Sequence, residues 1–395
     1  MVKEQIDVKK AVFVVKALSN GGIEHSLINL INSIEDYEVT LIMSKKQAPL
    51  LSLIKKPIKV KYLTDTGLGI DTRIFIKESF VNKKWLSLLK VSWRVGHFLL
   101  TKNMIPLNNF YLNAYPSEEE EYDIAISYDG GLRATSSYVI QKIKAKKKIM
   151  WVHEDYSKLV DIEKQTGGSV FKYFDQIFCV SIGAKEKFVE LYPELTQKTS
   201  VFYSIYDKND FYKKAKNQES DFNYEGIKIL TVARLGQEKG HDLIPEVISK
   251  LKTEGYQFHW YLVGDDDGVR VQLEKEIKTR QIESYLSILG GKVNPFPYYR
   301  DCDIYVQPSK QEGYCMSMIE AMAFGKPIIA TNFLTAKEFI LNHGTDGLIA
   351  DMSSQSLYEN IKKMLDDKKL RMSISEFYLQ KKIDTTSEVE KFYAI

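Results

Sequence analysis

The sequence predicts an α/β protein made of two parallel-sheet domains. Apolar runs of strand length alternate with amphipathic segments of helix length, the pattern of serial βα units. The series halts in a polar stretch and then restarts, which divides the 395 residues in two. Each half is long enough to bury a core without a disulfide or a structural metal.

In the first half, Ala11–Leu18 reads as a buried strand. Ile23–Ile34 follows as a helix with Ile23, Leu27, Leu30, Ile31 and Ile34 on one face. Val39–Met43, Tyr122–Tyr128, Lys148–Val152 and Gln176–Ser181 are further strands, and a helical stretch follows Gly130 and Gly131. Tyr203–Glu225 is charged and has no clean apolar period, so it reads as the linker. The expected domains are 1–203 and 204–395. Lys228–Ala233 restarts the series, with a helix from about Leu243 to Lys252. Phe258–Val263, Leu286–Leu289, Ile304–Gln307 and Pro327–Ala330 follow as strands.

Composition excludes several classes. Apolar residues make up 44% and charged residues 27%, ordinary values for a folded globular chain. A net charge of +3 argues against bulk nucleic-acid binding. Cys179, Cys302 and Cys315 show no CxxC spacing, so neither a zinc site nor a redox motif is expected, and the odd count suits a reducing cytoplasm. No secretory signal or membrane-spanning run is read from the sequence. The expected location is therefore cytoplasmic. Tyrosine is frequent at 24 residues, and Tyr128 and Tyr314 are candidates to stack on a ligand.

Between Glu78 and Glu118 the chain has no acidic residue. On a helical wheel Lys83, Lys90, Arg94 and His97 form one stripe, with Trp85, Leu89, Trp93 and Leu100 opposite. A basic helix with aromatic anchors suits an anionic membrane surface as well as a solvated helix packed on a core. Lys83–His97 is the candidate for peripheral contact with the inner membrane leaflet.

The most informative stretch is DIYVQPSKQEGYCMSMIEAMAFGKPIIAT, Asp303–Thr331. A strand ends at Pro308 and Ser309, a loop carries Glu312 and Gly313, and a helix starts near Cys315 and Met316 with Glu320 about one turn in. That puts both carboxylates at the carboxyl end of a parallel strand, where open α/β sheets bind ligands. The amides of Gly313–Met316 at the helix start suit a phosphate, and Glu320 suits a vicinal diol. Upstream, VARLGQEKG sets Arg234 and Lys239 five residues apart after a strand, with Asp242 expected to cap the next helix and Pro245 tolerated in its first turn.

These residues resemble the E-x7-E and R-x4-K signatures of retaining, nucleotide-sugar-dependent glycosyltransferases of family four. That resemblance implies the GT-B fold, two Rossmann-like domains facing a central cleft, with the last helix crossing back to the first domain. It implies that Arg234 and Lys239 grip the donor diphosphate and stabilise it as a leaving group. It implies that Glu320 holds the ribose and that Glu312 contacts the donor sugar. The loop Gly313, Tyr314, Cys315 and Met316 would cradle phosphate. Gly21, Gly22 and Glu24 resemble the family's GGxE loop over the phosphates. Trp151-Val152-His153 resembles its W-x-H segment, so His153 would meet a sugar hydroxyl. Tyr128 and Asp129 would line the acceptor side. GGKVNPFPY resembles the nucleobase loop of capsule and surface-polysaccharide enzymes, with Val293 as the base contact. Gly264 matches a family glycine, but Asp265-Asp266-Asp267 departs from the usual G-D-G-P. A solvated acidic turn is expected there rather than a metal site, since Arg234 and Lys239 take a metal's part.

The resemblance implies hexose transfer from a nucleoside-diphosphate sugar, a uridine one, to a glycan hydroxyl on a lipid-linked acceptor. No metal or further cofactor is expected. A GT-B sugar-nucleotide epimerase and a non-catalytic two-lobed sugar-binding protein are the alternatives. A dehydrogenase is disfavoured because no G-x-G-x-x-G follows the first strand.

Overall fold

The computed structural model describes residues 8–19, 21–63, 115–131, 134–156, 170–340, 342–381 and 383–395, with residues 89, 92, 93, 96, 100, 112, 167 and 168 between them. They fall into two compact units. One runs to Ile205 and takes in Ser387–Ile395, and the other is Tyr206–Thr386.

The first unit is built on β1 (Lys9–Val15), α1 (Gly22–Ser33), β2 (Tyr37–Met43), β3 (Lys59–Tyr62), β4 (Glu121–Ser127), α2 (Ala134–Lys142), β5 (Lys144–Val152), β6 (Gln176–Cys179), α3 (Ile182–Leu191) and β7 (Thr199–Val201). Its seven strands are all parallel, in the order β3-β2-β1-β4-β5-β6-β7. Continuous apolar runs suit such a sheet because helices cover both faces. Ala11 to Val14 are accordingly fully buried. In α1 the buried side is Ser26, Leu27, Ile28, Leu30 and Ile31, a little broader than the apolar stripe predicts. Ser181 caps α3 by accepting from the Ala184 amide at 3.0 Å.

The second unit holds α4 (Lys208–Lys216), β8 (Ile227–Val232), α5 (Ile244–Thr253), β9 (Phe258–Val263), α6 (Arg270–Thr279), β10 (Leu286–Gly290), α7 (Phe296–Asp301), β11 (Ile304–Gln307), α8 (Met316–Ala323), β12 (Ile328–Thr331), α9 (Ala336–Phe339), β13 (Leu348–Ala350), α10 (Ser354–Asp366) and α11 (Lys368–Gln380). Six parallel strands run in the order β10-β9-β8-β11-β12-β13. Both sheets reverse winding once, between β1 and β4 in the first and between β8 and β11 in the second. Ligands bind outside the carboxyl ends of strands at such switch points.

Several sequence expectations need correction. The supposed linker contains α4, capped by Asp207 on the Asn209 amide at 2.8 Å, with Phe211 and Ala215 buried. Two buried residues one turn apart are enough to dock a helix, yet too few to show a period. Asp242 does not cap α5 and instead pairs with Lys310 at 2.8 Å. Pro245 sits in the first turn of α5, where its missing N–H costs nothing.

The basic stripe Lys83, Lys90, Arg94 and His97, with Trp85, lies outside the described residues. Leu89, Trp93 and Leu100 are described, are helical, and are each exposed. No helix among the described residues is long and apolar enough to cross a membrane.

The chain returns to the first unit through α12 (Val389–Tyr393). Phe392 is fully buried there, stacked on Phe13 at 6.2 Å between ring centroids and edge-on to Tyr37 at 5.3 Å. The Tyr393 hydroxyl accepts from the Glu35 amide at 2.8 Å, and Glu388 accepts from the Tyr203 amide at 2.8 Å. Truncating a buried phenylalanine costs both its transfer energy and a cavity. Phe392→Ala is therefore expected to lower stability by about 3–5 kcal/mol in urea denaturation. A loss below about 1 kcal/mol would show that the segment is not part of the first unit's core.

Candidate functional site

In the second unit the four loops that follow β8, β9, β10 and β11 are laced together. Ala233 donates to Val263 O at 2.9 Å, Leu235 to Asp265 O at 2.8 Å, and Gly264 to Gly290 O at 3.0 Å. Lys310 donates to Glu238 O at 2.8 Å, tying the loop after β11 to the loop after β8. Two glycines permit the approach. Gly240 adopts φ +68, and a Cβ there would lie 1.8 Å from the Pro308 oxygen. A Cβ on Gly264 would lie 1.9 Å from the Ala233 oxygen.

This lacing brings Lys239 and Glu312 into contact at 2.9 Å, with both side chains largely buried. Burial alone pushes the Lys239 pKa down, but the charge and hydrogen bond of Glu312 outweigh it and hold the ammonium above the ordinary lysine range. Glu312 Oε1 also accepts from Ser309 Oγ at 2.7 Å and from Gln307 Nε2 at 3.2 Å. Removing either partner of such a pair would strand a buried charge.

Arg234 is half exposed and pairs with Asp267 and, at 3.3 Å, with Glu238. The three aspartates have separate tasks. Asp266 accepts from the amides of Gly268, Val269 and Arg270 at the start of α6, at 3.0, 3.1 and 3.1 Å. Asp267 holds Arg234, and Asp265 packs against Gly291, where a Cβ would meet its Oδ1 at 1.9 Å. No group of three or more metal-ligating side chains occurs among the described residues.

Gly313 and Tyr314 lead into Cys315, which sits in the left-handed region at φ 60 and ψ 63, directly before Met316 opens α8. A non-glycine residue there stores backbone strain of about 1–3 kcal/mol, which persists only where neighbours over-determine the loop. Burial pushes the Cys315 thiol well above its ordinary range, so it stays protonated. Tyr314 is buried edge-on to Phe339 at 5.4 Å, which leaves little ring surface for a sugar.

Glu320 lies on α8 facing the buried hydroxyl of Tyr299. Burial pushes its carboxyl up to about 7, with the Tyr299 hydroxyl and the charge of Lys214 on α4 pulling it back down. Val293, beyond β10, is 74% exposed.

In the first unit, Gly21 precedes α1, and Glu24 folds back over it with its Oε1 accepting from Ser19 Oγ at 2.8 Å. Gly22 is the first residue of α1. Asp129, just past β4, accepts from the Lys16 amide at 3.0 Å and from Thr135 Oγ1 at 2.6 Å. His153 follows β5, with its ring 4.9 Å from that of Tyr128. Tyr128 is not available to stack on a ligand. It is fully buried between Phe13 and Trp151 and shares a 2.7 Å hydrogen bond with Ser26.

Gln307, Ser309, Ser317 and Tyr299 join the site although no sequence pattern marks them. The one available signal is Gln307, a polar residue closing the apolar strand IYV.

Comparisons with known proteins find similarity to glycosyltransferases. Residues 213–379 match the family model described as Glycosyl transferases group 1. An uncharacterized glycosyltransferase of Haemophilus influenzae is 24% identical over 370 residues, covering 93% of this chain and 91% of that protein. The N-acetylgalactosamine-N,N'-diacetylbacillosaminyl-diphospho-undecaprenol 4-alpha-N-acetylgalactosaminyltransferase of Campylobacter jejuni is 26% identical over 225 residues, 56% of this chain and 59% of that protein. Anabaena HepE in complex with UDP and glucose superposes with a TM-score of 0.69 at 16% identity over 98% of both chains.

The raised carboxyl of Glu320 has a stability consequence. Between about pH 4.5 and 7 the folded state binds this proton more tightly than the unfolded chain. Stability therefore falls as pH rises through that window and levels off above it. Glu320→Gln should flatten this slope, gaining on the order of 1–3 kcal/mol over wild type between pH 5 and pH 8. Urea titrations at both pH values check it, and parallel slopes in the two proteins would refute it.

Proposed function

We propose that this chain, a group 1 glycosyltransferase of GT-B architecture and a hexosyltransferase, moves a hexose from a UDP-sugar to a hydroxyl of a lipid-linked glycan, with retention of configuration, in surface-polysaccharide assembly. The observation that carries the reading is the constellation at the β8/β11 switch point. Two cations, Arg234 and Lys239, share that strand-end region with two carboxylates, Glu312 and Glu320, beside a helix start. The names of similar proteins favour the same chemistry. HepE is seen with UDP and glucose, and the Campylobacter relative is named for a diphospho-undecaprenol-linked acceptor.

In this scheme the bond between the sugar's anomeric carbon and the diphosphate breaks. The acceptor oxygen bonds to that carbon on the same face, and the acceptor proton passes to the departing phosphate oxygen. Negative charge gathers on the leaving diphosphate, where fixed cations stabilise it most. Lys239 has three N–H donors. One already holds Glu312, which leaves others for phosphate. Arg234 exchanges its surface carboxylates, Asp267 and Glu238, for the diphosphate. The amides of Gly313 to Met316 complete the anion site, and Gly264, with no side chain, keeps the turn after β9 close to Ala233. Glu320 accepts from the ribose hydroxyls, Val293 meets the base, Glu312 orients the sugar, and His153 meets one of its hydroxyls. The reading assigns no metal to the reaction, since Arg234 and Lys239 carry the countercharge.

Glu320→Ala removes two charge-assisted hydrogen bonds of roughly 1.5–3 kcal/mol each. Donor turnover should fall by ~10²-fold or more. A thermal-shift screen against nucleoside-diphosphate sugars selects the donor, and proton NMR of the first-formed product reads the anomer. Wild-type turnover in Glu320→Ala, or an inverted product, would overturn the corresponding part of the reading.

The acceptor's lipid anchor would meet the stripe Lys83–His97. Co-sedimentation with vesicles containing anionic lipid should exceed that with neutral vesicles, and equal binding would count against the membrane part.

A further inference from the structure

We infer that Gln307 is a positioning residue for Glu312, an inference that rests on the glycosyl-transfer reading and adds to it a part that no motif carries. Gln307 ends β11 with no exposed surface. A buried amide is costly unless all its hydrogen-bonding groups are satisfied, and this one is satisfied on every side. Its Nε2 donates to Ser309 Oγ at 2.7 Å and to Glu312 Oε1 at 3.2 Å. Its Oε1 accepts from the Tyr305 hydroxyl and from Ser317 Oγ at 3.2 Å. Burial holds the Tyr305 phenol well above its ordinary range, so it remains a donor.

The partners fix the orientation of the amide. The Ser309 hydroxyl spends its proton on Glu312 Oε1, so its oxygen needs a donor, and Nε2 supplies it. A flipped amide would turn its oxygen toward the Glu312 carboxylate. One side chain thus joins a strand end, the loop carrying Glu312 and the first turn of α8 at Ser317.

The result is a lopsided carboxylate. Gln307, Ser309 and Lys239 all donate to Oε1, while no hydrogen bond reaches Oε2 among the described residues. Three donors on one oxygen fix both the rotation of the carboxylate and the direction of Oε2, which is left for the donor sugar. Orientation of this kind is needed for a group that acts on one sugar hydroxyl or on developing positive charge. A strand end could be packed equally well by leucine, so the polar residue earns its place through Glu312.

The test compares Gln307→Leu and Gln307→Glu with wild type, using the UDP-sugar chosen by the thermal-shift screen. Steady-state kinetics, calorimetric UDP binding and melting temperature are read together. In Gln307→Leu, kcat should fall roughly 10²-fold, with UDP affinity within about threefold of wild type. In Gln307→Glu the new side chain opposes Glu312 while ionised. Once protonated, its O–H replaces the amide donor. Its kcat should therefore recover as pH falls, a limb that wild type lacks. Unchanged kcat in both variants would overturn the inference. So would a loss of kcat that tracks lost UDP binding and lowered melting, which is the mark of a merely structural residue. A wild-type protein that turns over no UDP-sugar would overturn the functional reading and this inference together, whereas an active wild type with indifferent Gln307 variants overturns this one alone.

Discussion

The ion pair between Lys239 and Glu312 is the constraint on which the site depends. It joins the loop after β8 to the loop after β11, the two neighbouring strands at which the second sheet changes winding. Neither charge is tolerable alone at that depth, so the two loops keep their approach or both charges lose a partner. The rest of the site follows from that approach. Gly240 has no side chain because Pro308 lies against it, and the strained backbone at Cys315 persists because the loop before it is pinned at Glu312 and the helix after it at Ser317.

The same logic separates the two carboxylates. Glu312 sits beside the Lys239 ammonium and two neutral donors, Gln307 and Ser309. Glu320 sits beside a tyrosine in an apolar setting, where burial dominates. Eight residues apart in sequence, they have different electrostatic surroundings: one is paired with a lysine, the other lies buried against a phenol.

Much of this was legible in the sequence. Strands such as Phe258–Val263 and Ile304–Gln307 read correctly because burial on both faces makes them continuous apolar runs. Others did not. β3 is KVKY, half exposed at a sheet edge, while β7 and β13 have three residues each, too few for any period. The motif residues were readable because their spacing is linear: Arg234 with Lys239, Glu312 with Glu320. What surrounds them was not, because it arrives through tertiary folding. Asp242 reads as a cap, yet an ion pair with Lys310 from another loop claims it. Tyr128 sits at a strand end as a ligand-facing residue would, yet Ser26 and Trp151 enclose it.

The return of α12 to the first unit bears on how this chain matures during synthesis. The first unit's strands leave the ribosome early, but the ring that fills the space between Phe13 and Tyr37 belongs to Phe392, which is made after the whole second unit. The half made first is therefore completed last. Its core stays open at one side while the whole second unit is translated, and it closes only when Phe392 has left the exit tunnel. Loss of Val389–Tyr393 alone would spare every motif residue of the second unit and still leave the first unit's core unfinished.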